Sequence, residues 1–272
     1  MRFASSLSRL RPLLDLVFPP RCIHCGRLGD YLCETCREEA QSVGSDICIR
    51  CGNPLTTRGI CHRCRQDPPD PIRAIRGVFF YNGPIAQSIR GLKYHGLRGL
   101  APILADYLIA YIQAHPIPID ALVPVPLHPE RLAQRGFNQS ELLAARIALT
   151  LNIPLRVNLL RRIRPTLPQA QLNRKQRLQN VAGAFAPHDG VSLHGETILI
   201  IDDVATTGAT LRACARPLRA MGAGDIWALT VARANMNVAL DAPTSPSSPA
   251  EAFLLWDANR KQLIPDPTES LI

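Results

Sequence analysis

The stretch TILIIDDVATTGAT, residues 197–210, constrains the fold more than any other part of the chain. Ile198 to Ile201 is an unbroken apolar run, the pattern of a strand buried on both faces, as in a parallel sheet. Asp202 and Asp203 place two carboxylates where this strand is expected to end. Thr206 to Thr210 is a run of small hydroxylated residues and glycine, and Leu211 to Met221 follows with helical spacing. A loop of this kind opening a helix presents free backbone N–H groups and the positive end of the helix dipole, so it suits a phosphate. Gly208 lets the backbone approach closely, and the threonine hydroxyls add donors. Two adjacent carboxylates would repel that phosphate on contact, so they are expected to face a sugar diol or a metal ion. A ligand with a diol at one end and a phosphate at the other is a ribose 5-phosphate. The plain alternative is a strand–loop–helix junction with surface aspartates. Neither G-x-x-x-x-G-K-[ST] nor G-x-G-x-x-G occurs, so the common nucleotide loops do not compete.

A second constraint lies upstream. Of nine cysteines in 272 residues, eight form four C-x-x-C pairs: Cys22/Cys25, Cys33/Cys36, Cys48/Cys51 and Cys61/Cys64. A disulfide framework has no reason to repeat that gap, whereas a metal knuckle aims two thiolates at one tetrahedral ion. Soft ligands and four-coordination point to structural Zn²⁺ at two sites. CIHCG and CIRCG open two similar halves, and Gly26 and Gly52 suit the turn after each knuckle. Two zinc ribbons each closed by its own two pairs are expected; cross-braced pairing is the alternative. His24 and His62 sit inside knuckles already filled by thiolates and are expected to be bystanders or donors to sulfur. Such ribbons bind nucleic acid or protein, or serve only as folding staples where apolar residues are few. Asp67 to Pro71 reads as a stiff linker and marks the expected domain boundary.

Beyond the linker, Ile72 to Tyr81 reads as one or two strands, Asn82 to Pro84 as a turn and Ile85 to Lys93 as a helix. Arg90, Lys93 and Arg98 suit either an anion site or a solvated face. Ala121 to Leu127 is an apolar run carried into two prolines, a strand stopped at a loop. Arg131 and Arg135, four apart, would share a helix face, and Asn138 and Gln139 add amide donors. Residues 161–180 carry six cations and no carboxylate, with prolines and glutamines that read as a loop. Asp225 to Val231 is the next expected parallel strand, and Cys214 on the preceding helix reads as a buried small residue. The formal net charge of +9 and a pI near 9.4 favour anionic partners: phosphates, nucleotides or nucleic acid.

These motifs resemble two nested families. Four apolar residues, two acidic residues and a Thr-Gly loop are the phosphoribosyl pyrophosphate (PRPP) motif of type I phosphoribosyltransferases. VPVPLHP with RGFNQ, KYHG at 93–96, and PQAQL with Arg174, Arg177 and Asn180 resemble the ComF family, as does FPPRC ahead of the ribbons; the likeness spans roughly residues 10 to 234. It implies an α/β fold, a type I phosphoribosyltransferase-like mostly parallel sheet with an N-terminal double zinc ribbon. It implies that Asp202 and Asp203 contact the ribose hydroxyls and carry any catalysis, with Mg²⁺ beside the pyrophosphate. Ala205, Thr206, Thr207, Gly208, Ala209 and Thr210 would hold the 5-phosphate. Val125, Pro126, Leu127, Arg131, Arg135 and Lys175 would lie by the pyrophosphate, with the basic segment as a hood that excludes water. Members include competence proteins handling incoming single-stranded DNA, so that segment is equally a candidate nucleic-acid track.

The expected organisation is an amphipathic helix over 1–20, ribbons over 21–66, the phosphoribosyltransferase-like domain over 72–236, and a Pro/Ser-rich linker and tail over 241–272. Arg9, Arg11, Pro12 and Asp15 interrupt the N-terminal apolar run, which argues against a signal peptide and for a cytoplasmic protein; a weak membrane-surface role is the alternative. No apolar run approaches the roughly 18 residues of a membrane span. Three functions follow as expectations. One is a binder of PRPP or a related ligand and of single-stranded DNA, working with DNA-uptake proteins in transformation. The second is an active transferase on an unknown acceptor. The third is a zinc-ribbon interaction protein with a non-catalytic second domain.

Overall fold

A computed structural model describes residues 19–67, 70–166, 174–188 and 190–234, with the side chains of Arg174 and Lys175 outside that description. The expected N-terminal helix, the prolines of the linker, the middle of the basic segment and the 241–272 tail all lie outside the described residues.

Two short helices, α1 (Glu34–Glu38) and α2 (His62–Gln66), belong to the cysteine-rich region. Strand β1 (Ala74–Phe80) follows, then helices α3 (Gly83–Tyr94) and α4 (Leu100–Ala114), and strand β2 (Ala121–Pro124). Helices α5 (Pro129–Arg135) and α6 (Gln139–Leu151) lead to β3 (Leu160–Arg162), α7 (Arg174–Val181) and β4 (Phe185–Pro187). The chain closes with β5 (Ile198–Ala205), α8 (Ala209–Ala220) and β6 (Ile226–Arg233).

The main sheet has the order β1-β6-β5-β2, and every pair in it is parallel. Strand β5 is central, so both of its faces are covered. Ile198 and Ile200 pack with α8, β3 and β4 on one side. Leu199 and Ile201 pack with α3, α4 and α6 on the other. An unbroken apolar run is what that two-sided burial requires. The strand is longer than its apolar run: it continues through Asp202 and Asp203 to Ala205. Both carboxylates therefore project from ordered strand rather than from a loop.

The structure differs from the sequence expectation in three respects. Gly83 and Pro84 open α3 instead of forming a separate turn, because proline is tolerated in a first helical turn where its missing N–H has no partner. The described residues of the basic segment carry regular structure rather than loop: β3 pairs antiparallel with β4, and α7 lies between them in sequence. Helices α4 and α6 had no sequence counterpart, although α4 carries nine buried residues at helical spacing.

The ribbons close the exposed edge of the sheet. Val43 N–H donates to Val78 C=O at 3.0 Å, Phe80 N–H to Gln41 C=O at 2.8 Å, and Ile75 N–H to Arg50 C=O at 2.8 Å. Strand β1 would otherwise present unpaired backbone groups, the usual hazard of an edge.

Candidate functional site

The carboxyl ends of β2 and β5 open into a cavity of about 960 Å³. This is where ligands sit in open parallel sheets. Five cations, Lys93, Arg131, Arg135, Arg162 and Arg177, line it against two carboxylates, Asp202 and Asp203. Helix α5 does place Arg131 and Arg135 on one wall, and none of its residues is buried. The excess of positive charge suits a polyanion such as a pyrophosphate.

The carboxylates are held by specific partners. Ser140 Oγ donates to Asp202 Oδ1 at 2.8 Å, and Asp203 N–H donates to the same oxygen at 2.9 Å. Ser140 sits in the first turn of α6, where the Asn138 side chain caps the helix by accepting from Ser140 N–H at 3.1 Å. The same Asn138 amide donates to Val125 C=O at 3.0 Å and so fixes the loop after β2. Asn138 is therefore a positioning residue, not the ligand donor its sequence context suggested. Gln139 does line the cavity, where its side-chain oxygen accepts from Arg135.

Lys93, at the end of α3, brings Nζ to 2.7 Å from Asp203 Oδ2. The pair is a buried ion pair, with Asp203 almost wholly enclosed. Burial alone would depress the Lys93 ammonium; Asp203 and Asp202 outweigh it and raise its pKa above the ordinary value. Asp202 is pushed up to about 7, first by burial and then by the neighbouring Asp203, with Lys93 and Ser140 pulling the other way.

The Thr-Gly loop forms the opposite rim. Thr206 and Thr210 line the cavity, while Thr207 and Ala209 are buried. The N–H groups of Thr206, Thr207 and Gly208 receive no protein acceptor among the described residues. Gly208 caps α8 with φ +76°, a left-handed conformation. A Cβ there would lie 2.7 Å from Ile75 Cδ1 and 2.8 Å from Arg212 Nη1. Arg212 braces the cradle: Nη1 donates to Thr207 C=O at 2.7 Å and Nε to Asp70 Oδ2 at 2.6 Å.

Of the residues singled out in the sequence, Val125, Leu127, Arg131, Arg135, Asp202, Asp203, Thr206 and Thr210 meet at this cavity. Ala205, Thr207, Gly208 and Ala209 lie behind its rim, and Pro126 faces a neighbouring smaller pocket. The side chain of Lys175 lies outside the described residues. Sequence reasoning missed Tyr81, Tyr94, Gln134, Arg162, Thr166 and Arg177 as lining residues. It counted Arg162 only within the basic run of residues 161–180, and Arg177 within that run and the ComF-like motif. Arg131 Nη2 donates to Thr166 C=O at 2.7 Å, and Arg162 donates to the Thr166 hydroxyl, so this threonine ties β3 to α5.

The cysteines form two clusters in sequential order, Cys22/Cys25/Cys33/Cys36 and Cys48/Cys51/Cys61/Cys64, with the sulfurs of each within 4.8 Å of one another. Gly26 N–H bonds Cys22 C=O at 2.9 Å and Gly52 N–H bonds Cys48 C=O at 2.8 Å, the tight turn of a metal knuckle. Cys33 N–H and Cys61 N–H donate to Cys22 Sγ and Cys48 Sγ, both at 3.4 Å. Four convergent thiols with N–H donors to sulfur fit a structural zinc ion in each cluster. His24 instead contacts Gln87 at 2.9 Å and Glu39 at 3.3 Å. Cys214 is fully buried on α8.

A parallel sheet ending in a diacid, a helix-opening cradle and a wall of arginines, joined to two thiolate clusters, defines a phosphoribosyltransferase-type α/β protein with a double zinc ribbon. The double zinc ribbon domain family matches residues 13–65, and the phosphoribosyl transferase domain family matches residues 138–241. The chain belongs to the ComF family. It is 32% identical over 228 residues to competence protein F of Haemophilus influenzae, covering 79% of this chain and 97% of that protein. It is 30% identical to competence protein ComFC of Bacillus subtilis, covering 75% of this chain and 85% of that one. To the DNA utilization protein YhgH of Escherichia coli K12 it is 31% identical, covering 79% of this chain and 98% of that one. Among the described residues no helix is long and apolar enough to cross a membrane.

Proposed function

We propose that the chain binds PRPP or a related ribose 5-phosphate ligand in the cavity at the ends of β2 and β5, and that it serves DNA uptake, with single-stranded DNA as its second ligand. The observation that carries the first half is the facing of Asp202 and Asp203 across one cavity by the Thr206–Thr210 cradle and four arginines. The carboxylates accept from the ribose hydroxyls, the cradle takes the 5-phosphate, and Arg131, Arg135, Arg162 and Arg177 take the pyrophosphate. Because Lys93 already balances Asp203, Mg²⁺ is expected on the ligand's own phosphate oxygens, where it would offset their charge. The DNA half rests on the relatives, named for competence and DNA utilization, and on the basic limb from β3 to α7. Arg161 and Arg164 are exposed there. Few aromatics accompany them, so phosphate contacts rather than base stacking would supply affinity.

Turnover is the second reading, favoured by the intact, buried diacid. An acceptor lone pair would form the bond to ribose C1 as pyrophosphate leaves with the electrons of the C–O bond, and the arginine wall would stabilise that departing charge. The test common to both is thermal stabilisation by PRPP with Mg²⁺. Wild type should gain several degrees, and Asp202→Asn/Asp203→Asn should gain none; no gain in wild type would overturn the ligand assignment. Pyrophosphate release with candidate bases then separates binding from turnover.

A further inference from the structure

Arg233, at the end of β6, is the largest fully buried side chain described, at 1% exposure. None of its Nε, Nη1 and Nη2 atoms has a hydrogen-bond partner among the described residues. A buried guanidinium without a partner is strongly unfavourable, and the cations Arg63 and Arg212 repel it. Its attractive neighbours are Cys51 and Cys48. A Cβ built on Gly52, the residue after Cys51, would lie 3.7 Å from Arg233 Nη1 and 2.4 Å from Ile75 C=O. The guanidinium thus lies against the second knuckle, while the close approach of Ile75 C=O is what leaves no room for a side chain at Gly52. Cys48 and Cys51 are themselves fully buried there.

We propose that Arg233, a residue of the α/β domain, is the buried counter-cation of the second zinc–tetrathiolate centre, so that zinc in this ribbon and the β1–β6 edge of the sheet form one electrostatic unit. Zn²⁺ with four thiolates carries a net charge of about −2, which is the partner the orphaned guanidinium lacks. Arg63 supplies a second, more peripheral cation, with Nη2 3.4 Å from Cys51 Sγ. The first ribbon is built differently: Cys22, Cys33 and Cys36 pack with Leu32 and Leu100, flanked by Ile23, Tyr31 and Leu97. The backbone of Arg233 adjoins two residues of the cavity wall. Its C=O accepts from Tyr81 N–H at 2.8 Å, and the following Ala234 N–H bonds Ala205 C=O at 2.9 Å. Tyr81 and Ala234 both line the candidate site. Arg233 acts on the metal as a positioning residue, since it touches the knuckle and not the ion.

The test compares full-length wild type and Arg233→Met, zinc-loaded and chelator-stripped. Loaded with zinc, the variant should melt below wild type and release one of its two zinc equivalents to a chromogenic chelator about tenfold faster or more, the scale of a lost outer-sphere partner. Stripped of zinc, the order should vanish or reverse, because the variant no longer buries an unpaired cation. A variant that melts below wild type by the same margin in both states would overturn the proposal and leave Arg233 a packing residue. If Arg233→Met fails to fold, Arg233→Lys decides by cadmium-113 NMR of the cadmium-loaded chain. One of the two resonances should move while the other stays; both moving, or neither, overturns the assignment.

Discussion

Lys93 Nζ and Asp203 Oδ2 stand 2.7 Å apart, with side chains 20% and 3% exposed. The helix whose last turn carries Lys93 precedes the strand bearing Asp203 by about a hundred residues, so the pair staples α3 to the ligand end of the sheet. It also reduces the charge of the diacid before any ligand arrives. Breaking a buried pair leaves one charge uncompensated, which costs about 3–5 kcal/mol. Lys93→Met should therefore lower stability on that scale. Lys93→Met/Asp203→Asn should be less destabilised than the sum of the single changes, as a double-mutant cycle by denaturant unfolding would report. Additive effects would show that the two side chains do not interact.

Asp202 gives stability an unusual pH dependence. Its carboxyl titrates near 3.8 when unperturbed and is pushed up to about 7 in the fold. Between those values the folded chain holds the proton more tightly than the unfolded chain, so this group's contribution falls as pH rises, and the loss is complete above about 7. Asp202→Asn cannot ionise and should escape that loss. Its melting temperature relative to wild type should rise from pH 4 to pH 7 in the absence of ligand and then level off. A gap that stays constant with pH would place the ionisation elsewhere.

Gly208→Ala tests the cradle. The new Cβ would face both a left-handed φ of +76° and contacts of 2.7 Å and 2.8 Å with Ile75 and Arg212. The backbone term alone costs about 1–2 kcal/mol. Arg212, the flexible partner, can move only by releasing Thr207 C=O or Asp70. The variant should lose stability modestly and PRPP-induced stabilisation almost entirely. Retained ligand stabilisation would mean that the phosphate sits elsewhere.

The central strand and the cradle were legible because their chemistry is written in consecutive residues. Ile198 to Ile201 needs apolar side chains on both faces, and Gly208 is demanded by one backbone angle. Lys93 was visible only as one cation among several, since nothing local to KYHG shows that its partner lies beyond residue 200. Arg162 was read only as part of a charge run, and Arg177 as part of that run and of a family-like motif without a place on the cavity wall, because a run of cations looks the same on a solvated limb and on a cavity wall. Asn138 misled in the opposite sense. Its amide looked like a ligand donor, but it caps α6 and holds Val125, and capping asparagines have the same local sequence whether or not a ligand is near. Helix α4 escaped notice because apolar residues surround most of it, which blurs the 3.6-residue period.

The nucleic-acid reading can be separated from the small-molecule reading by salt. Affinity of a protein for a single strand falls with log salt at a slope of about −0.7 per phosphate contact neutralised. Replacing Arg174, Lys175 and Arg177 with Gln should weaken single-stranded DNA binding uniformly across sequences and make that slope shallower by about 2. Arg177 also lines the cavity, so this variant should lose some PRPP stabilisation as well. Asp202→Asn/Asp203→Asn should abolish the PRPP effect and leave the salt slope for DNA untouched, because carboxylates contribute no counterion release. If the diacid variant lost DNA binding to the same extent, the two ligands would share one site, and the basic limb would be a hood over that site rather than a track of its own.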